Sequence, residues 1–286
     1  MSGERFEDHY RAIFGSRWDS LRAALLNKNS QVARLNRFHP DPTGSLPEDA
    51  RPVFEGCYAS ASLEAPPATL PMPYYIMDAA SVLAARALAV QSGDHVLDLC
   101  AAPGGKTLIL AEAIGEDGTL TSNDSSRGRL ARLRHVLDSY LPETTRQRVR
   151  VTAHDASRWG LYEPNRYRRV LLDAPCSSEA HVLGDKKANA QWTPARPKQL
   201  ALRQGALLAA AVDSTEPGGT VVYSTCALDP RENDGVVAKI LRKRKGRVEL
   251  APSTSPIGEA SELGMHILPD ATGFGPIYFA VLRRTT

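Results

Sequence analysis

The stretch His95-Val96-Leu97-Asp98-Leu99-Cys100-Ala101-Ala102-Pro103-Gly104-Gly105-Lys106-Thr107 decides the fold. Residues 95–99 form a short apolar run of strand length, and Pro103-Gly104-Gly105 turns the chain into a helical pattern over 106–114. Glycine at such a turn lets the backbone bend sharply and come close to a ligand. Further strand-like runs follow at 119–122, 149–152, 170–172, 220–223 and 277–282. Helical patterns over 127–140, 197–214 and 232–244 alternate with them, and another, over 77–90, precedes the first strand. Apolar strands alternating with helices predict a mostly parallel sheet covered on both faces. Ligands of such sheets bind beyond the carboxyl ends of the strands, so the residues there are the candidates for function.

Composition narrows the classes. The chain has 286 residues, a net charge of +3 and four cysteines, with 42% hydrophobic and 23% charged residues, which is a globular composition and not a disordered one. Cys57, Cys100, Cys176 and Cys226 are too sparse for a disulfide scaffold and include no CxxC pair, which argues against a zinc ribbon. No apolar run approaches the ~20 residues of a membrane span. The N-terminal residues lack the apolar core of a signal peptide. These features predict a cytoplasmic protein with reduced thiols and no membrane association. A monomer is the default expectation.

Residues 1 to about 30 carry Phe6, Tyr10, Ile13, Phe14, Trp18, Leu21 and Leu25 at helical spacing, broken at Gly15-Ser16. Residues 38–73 are rich in proline and predict a connector with few regular elements. The expected division is therefore a helical extension with its connector over 1–70 and a sheet-and-helix domain over 71–286. Basic residues cluster at Arg127, Arg129, Arg132 and Arg134, at Arg166, Arg168 and Arg169, and from Lys239 to Arg247. Such clusters suit phosphate backbones, or they are solvated helix faces.

The strand ends carry the chemistry. Gly105-Lys106-Thr107 hints at a phosphate-binding Walker loop, but the glycine that this loop needs five positions earlier is Cys100. Asp124 lies 20 residues past Gly104, the distance of an acid that binds ribose hydroxyls, and it could equally cap the following helix. Asp155 sits after the third strand, as an acceptor for an adenine amino group or as a turn residue. Asp173-Ala174-Pro175-Cys176-Ser177-Ser178 ends the fourth strand, and Ser224-Thr225-Cys226 the fifth. An isolated cysteine is usually core filler, whereas two at the ligand-binding edge of neighbouring strands suggest working thiols.

These strings resemble the Sun family of RNA (cytosine-5) methyltransferases. The resemblance rests on residues 98–107, on Asp173 to Ser178 and on Ser224 to Cys226. The run Tyr74-Tyr75-Ile76-Met77-Asp78-Ala79-Ala80-Ser81 is similar to the mitochondrial ribosomal-RNA branch of the family. The resemblance implies an α/β, Rossmann-like class I methyltransferase fold, with a mostly parallel seven-stranded sheet, helices on both faces and a short helical N-terminal extension. It implies S-adenosylmethionine as cofactor and RNA as substrate, ribosomal RNA before transfer RNA. Cys226 is implied as the nucleophile that adds to carbon 6 of cytosine, and Cys176 as the residue linked to release of the product. Asp173 is implied at ring nitrogen 3 and Lys106 beside the base and the methionine end of the cofactor. Cys100, Ala101, Ala102, Pro103, Gly104, Gly105, Lys106, Asp124, Arg129, Asp155 and Asp173 are implied to hold the cofactor. Neither Cys57 nor Cys100 matches a catalytic position. Tyr74, Tyr75 and Trp192 are candidates to stack on an unstacked base. The ~70 residues ahead of the catalytic domain are too few for a separate RNA-binding domain. RNA recognition is then expected from that segment, from the basic surface or from a protein partner. Two other classes compete: an RNA-binding factor without catalysis, which needs no thiol pair, and a ribose 2′-O-methyltransferase, whose lysine-based chemistry needs none either.

Overall fold

The computed structural model describes residues 2–27 and 31–286. The expected end of the N-terminal helical region near residue 30 lies outside the described residues. Helix α1 (Ser2–Phe14) and helix α2 (Trp18–Leu26) are separated by a turn at Gly15, whose φ is +58°. They bury Phe6, Tyr10, Trp18, Leu21 and Leu25 against Val182, Trp192, Leu228 and Leu268. The amphipathic spacing thus packs the extension onto the loops that follow the fourth and fifth strands of the central sheet.

The proline-rich stretch and its flanks hold more structure than composition predicts. Strands β1 (Gln31–Leu35), β2 (Arg51–Phe54), β3 (Cys57–Ala59) and β4 (Tyr74–Asp78) form an antiparallel sheet in the order β2-β3-β1-β4. Most of the prolines fall between strands, and Pro52 lies in β2, an edge strand, where a missing N–H is tolerated. The helix predicted from residue 77 begins two residues later, because Met77 belongs to β4. Asp78 caps helix α3 (Ala79–Arg86) by accepting the Ala80 N–H at 2.8 Å.

The central sheet follows the predicted alternation. Strands β5 (His95–Asp98), β6 (Thr119–Asn123), β7 (Val149–Thr152), β8 (Tyr167–Asp173) and β9 (Thr215–Thr225) run parallel. Strands β10 (Val248–Ala251), β11 (Glu259–Ala260), β12 (Met265–Ile267) and β13 (Ile277–Arg284) complete it antiparallel. The sheet therefore has nine strands where seven were expected. The surplus comes from very short strands at the β13 edge, in a stretch too polar and irregular to show a strand period.

Alternate residues of each strand face opposite layers. Val96, Leu171 and Val222 join the core under α3, helix α4 (Gly105–Ala113) and helix α5 (Arg127–Tyr140). Leu97, Leu172 and Tyr223 face the helices Ala195–Ser214 and Asp234–Lys243. The order β9-β8-β5-β6-β7 places the switch point between β5 and β8. The carboxyl ends of these two strands, with β9 beside them, carry the site.

Candidate active site

Parallel register brings the motifs together. Asp173 ends β8 opposite Ser224 of β9, and the Ala174 N–H donates to the Ser224 carbonyl at 2.8 Å. Both Asp173 oxygens are engaged. Oδ2 accepts from Lys106 Nζ at 2.7 Å and Oδ1 from the Ser224 hydroxyl at 2.9 Å. Lys106, in the first turn of α4, also donates to the Ser81 hydroxyl at 3.3 Å. Burial works to lower the Lys106 pKa, but the Asp173 charge and hydrogen bond outweigh it and leave the ammonium form favoured.

The two thiols meet. Cys176 Sγ and Cys226 Sγ lie 2.8 Å apart, and the Ser178 hydroxyl stands 3.6 Å from the first and 3.4 Å from the second. Ser178 adopts a left-handed backbone, φ +53°, which turns its hydroxyl back to the sulfurs. The hydrogen bond from Cys176, aided by Ser178, holds the Cys226 pKa below the usual thiol value despite burial. The same hydrogen bond, with burial, pushes Cys176 well up. The two shifts run in opposite directions, so of the two sulfurs Cys226 is the more readily ionised.

A cavity of about 240 Å³ adjoins Lys106 and Asp173. It is lined by Cys100, Ala101, Ala102, Pro103 and Gly105 of the first loop, by Asp98, and by Tyr75, Met77 and Ser81 of the preceding segment. The loop is kept small for a reason. Gly104 has φ +121°, and a Cβ there would approach Val136 at 3.0 Å; one on Gly105 would meet Tyr75 at 2.8 Å. Asp98 is fully buried, and burial pushes its carboxyl up to about 7 against the hydrogen bond from Thr107. Asp98 Oδ1 is buried and accepts no hydrogen bond, and the only partner of the buried Asp124 Oδ2 is the Arg129 guanidinium. A buried acceptor left open in the lining of such a cavity suits a ligand with donors, such as ribose hydroxyls or an ammonium group. The site therefore fits S-adenosylmethionine.

The other expected residues sort themselves by position. Asp124 lies at the end of β6, accepts the Ser126 N–H at 2.9 Å, and has the Arg129 guanidinium 3.4 Å away. Arg129 also donates to the Ala102 carbonyl, which ties α5 to the loop. Asp155 is exposed and caps the short turn that follows β7 through Ser157, at the far side from the thiols. Cys57 is buried in the antiparallel sheet, whereas Cys100 lines the cavity and burial pushes its thiol up. Trp192 is buried against the N-terminal helices and Tyr74 donates to the Glu64 carbonyl, so neither is free to stack on a base. Tyr75 does line the cavity. The sequence reasoning missed Asp98, Ser81, Ser178 and Ser224 as individual contributors, since a buried acid or a serine carries no signal until its partner is known.

Comparison with known proteins is consistent with this geometry. The family model described as 16S rRNA methyltransferase RsmB/F matches residues 85–283. The chain is 35% identical to the 5-cytosine rRNA methyltransferase NSUN4 of Bos taurus, over 99% of this chain and 88% of that protein. It is 42% identical to the mitochondrial tRNA (cytosine(34)-C(5))-methyltransferase of Danio rerio, over 62% of this chain and 48% of that protein. Among solved structures, a methyltransferase homologue from Pyrococcus horikoshii superposes with a TM-score of 0.78 at 25% identity, covering 96% of this chain and 93% of that one. The cytoplasmic placement expected from the sequence is corrected by the Danio rerio relative, which is named as a mitochondrial protein. Reduced thiols and a globular composition suit any reducing compartment, so they never distinguished the two.

Proposed function

The chain belongs to the 16S rRNA methyltransferase RsmB/F family, and from that premise we propose that it methylates carbon 5 of a cytosine in ribosomal RNA through a covalent cysteine–cytosine intermediate. S-adenosylmethionine is the cofactor, and when bound it supplies an electrophilic methyl group. Residues 100–105, Asp98 and Asp124 would hold it, with Arg129 bracing the loop. The single observation that carries the reading is the hydrogen-bonded pair Cys176–Cys226 on the strand ends beside the Lys106–Asp173 pair.

In this reading Cys226, as the thiolate, adds to carbon 6 and makes carbon 5 enamine-like, dividing one hard step into easier ones. The charge pushed into the ring calls for a proton at nitrogen 3. Both Asp173 oxygens accept hydrogen bonds before a base enters, so that proton is relayed within the Lys106–Asp173 pair. Release breaks the bond from carbon 6 to Cys226 Sγ as the proton on carbon 5 passes to solvent water and the ring is restored; Cys176, already a hydrogen-bond partner of Cys226 Sγ, is placed to stabilise the departing thiolate. Asp155 at the adenine is the weakest member of the proposed set, since its carboxylate is engaged by Ser157.

We also propose the division into an extension, 1–70, and a methyltransferase unit, 71–286. All nine strands of the central sheet lie in the second segment, although its β4 pairs with β1 of the first. Transfer RNA is the alternative substrate, suggested by the Danio rerio relative. Bisulfite sequencing of total RNA with and without the gene tests the proposal: one ribosomal cytosine should lose its protection. Protection lost only in transfer RNA would reassign the substrate, and no loss anywhere would reject the activity.

A further inference from the structure

Behind the thiols stands a buried carboxylate that the reaction itself does not touch. Glu179 opens the helix Glu179–Gly184 and is fully buried. Its Oε1 accepts from the Tyr10 hydroxyl of α1 and from the Ser177 hydroxyl, and its Oε2 accepts the Leu228 N–H at 3.0 Å. Ser177 directly follows Cys176, and Leu228 lies two residues past Cys226. One carboxylate thus joins the loop of each thiol to the other and to the N-terminal helix.

A second buried carboxylate works on the same turn. Glu232 Oε2 accepts the Ser177 N–H at 3.1 Å and Gln204 Nε2 at 2.7 Å. Ser177 is therefore held by its hydroxyl from one side and by its N–H from the other. The donors to Glu179 are all neutral, and burial pushes its carboxyl up against those hydrogen bonds. A buried carboxylate with no cation beside it is a costly way to gain stability. Its contacts instead have the form of a brace for two loops whose sulfurs must meet.

We propose that Glu179, held by Tyr10, is a positioning residue that clamps the Cys176 loop to the Cys226 loop and so sets the contact between the two sulfurs. The proposal rests on the methyltransferase reading and deepens it. Groups that act on a reacting pair only through its supports have to be placed to within fractions of an ångström.

The free protein reports the clamp without any methyl transfer. Alkylation of Cys226 by iodoacetamide, read by mass spectrometry over a pH series, gives the midpoint of thiolate formation. The groups facing the sulfurs are Asp173 and Lys106 on the cavity side, Ser178 beside them, and Glu179 behind; Glu232, Asp229 and Tyr10 surround Glu179. Glu179→Gln keeps the size but places an amide where two hydrogen bonds are accepted. If the carboxylate acted only through its charge, its removal would ease ionisation of Cys226 and lower the midpoint. If it clamps, the sulfurs part, Cys226 loses its donors and the midpoint rises. The expected result is a rise, with kcat reduced about 10- to 100-fold and KM for S-adenosylmethionine little changed. Tyr10→Phe keeps the ring among Phe6, Trp18 and Trp192 and should move the midpoint in the same direction by less. A midpoint in Glu179→Gln that falls or stays overturns the proposal. Should that variant not fold, an unmoved midpoint in Tyr10→Phe overturns it. Either failure leaves the methyl-transfer reading standing, because alkylation needs neither RNA nor cofactor.

Discussion

The hydrogen bond between Cys176 and Cys226 is the smallest feature on which the chemistry turns. With Cys226 as the thiolate, Cys226→Ala should reduce methyl transfer by on the order of 10⁴-fold or more while cofactor binding, measured by calorimetry, survives. Cys176→Ala removes the donor and should accumulate a covalent protein–RNA adduct that migrates slowly in a denaturing gel. If no adduct appears, the roles of the two sulfurs have to be exchanged. Asp98 makes a different prediction. Its carboxyl is held up near 7 by burial, so the native state binds that proton more tightly than the unfolded chain does. Its contribution to stability is complete below pH ~4 and is lost as pH rises through about 7. Glu232, also pushed up to about 7 chiefly by burial, adds the same sign. Cofactor-free protein should therefore unfold at lower urea concentration at pH ~8 than at pH ~5. Asp98→Asn should flatten that difference. Sequence spacing put Asp173, Lys106 and both thiols at strand ends. It could not reveal that Ser178 adopts a left-handed backbone and turns its hydroxyl onto the sulfurs.

At the scale of elements, the basic clusters separate. Helix α5 starts just past the carboxyl end of β6, so exposed Arg127 stands at the edge of the sheet that carries the site, with exposed Arg132 and Arg134 one to two turns further along. The helix Asp234–Lys243 runs the other way from β9, and its end lies by the amino edge of the sheet, where Arg244 pairs with Asp213 at 2.6 Å. These two clusters look alike in sequence, but the first begins at the carboxyl edge of the sheet and the second ends at its amino edge, while Arg166, Arg168 and Arg169 are each paired with an acid. Neutralising Arg127, Arg132 and Arg134 should weaken RNA binding and reduce its salt slope by about 2 to 3. Neutralising Lys243, Arg244 and Lys245 should change both less. Fluorescence anisotropy of labelled RNA across a salt series compares them. The parallel strands were legible because buried strands read as uninterrupted apolar runs. Strands β2 and β3 were hidden because prolines punctuate residues 38–73, β4 because its last residues fit the following helical pattern, and β10–β12 because they are short.

For the whole molecule, the extension is part of the catalytic body and not an appendage. Trp18 is fully buried, stacks on Tyr10 with ring centroids 5.4 Å apart, and donates to Glu7 at 2.7 Å. Trp18→Ala should cost roughly 3–5 kcal/mol in urea unfolding. It should also lower methyl transfer, because the cluster it opens includes Val182 and Leu228 of the thiol-bearing loops. Unchanged turnover in a destabilised variant would show that the extension serves the fold alone.

The sequence by itself determined the sheet-and-helix class, the order of the motifs and the residue types at the strand ends. These are local properties: an apolar run makes a buried strand, and a Pro-Gly-Gly turn admits a ligand, whatever the rest of the chain does. Only the tertiary structure decided which groups meet. The two sulfurs are 50 residues apart and the Tyr10–Glu179 contact spans 169, so neither pairing is encoded by spacing. Which thiol ionises more readily follows from hydrogen bonds and burial, and those exist only once distant segments close on one another.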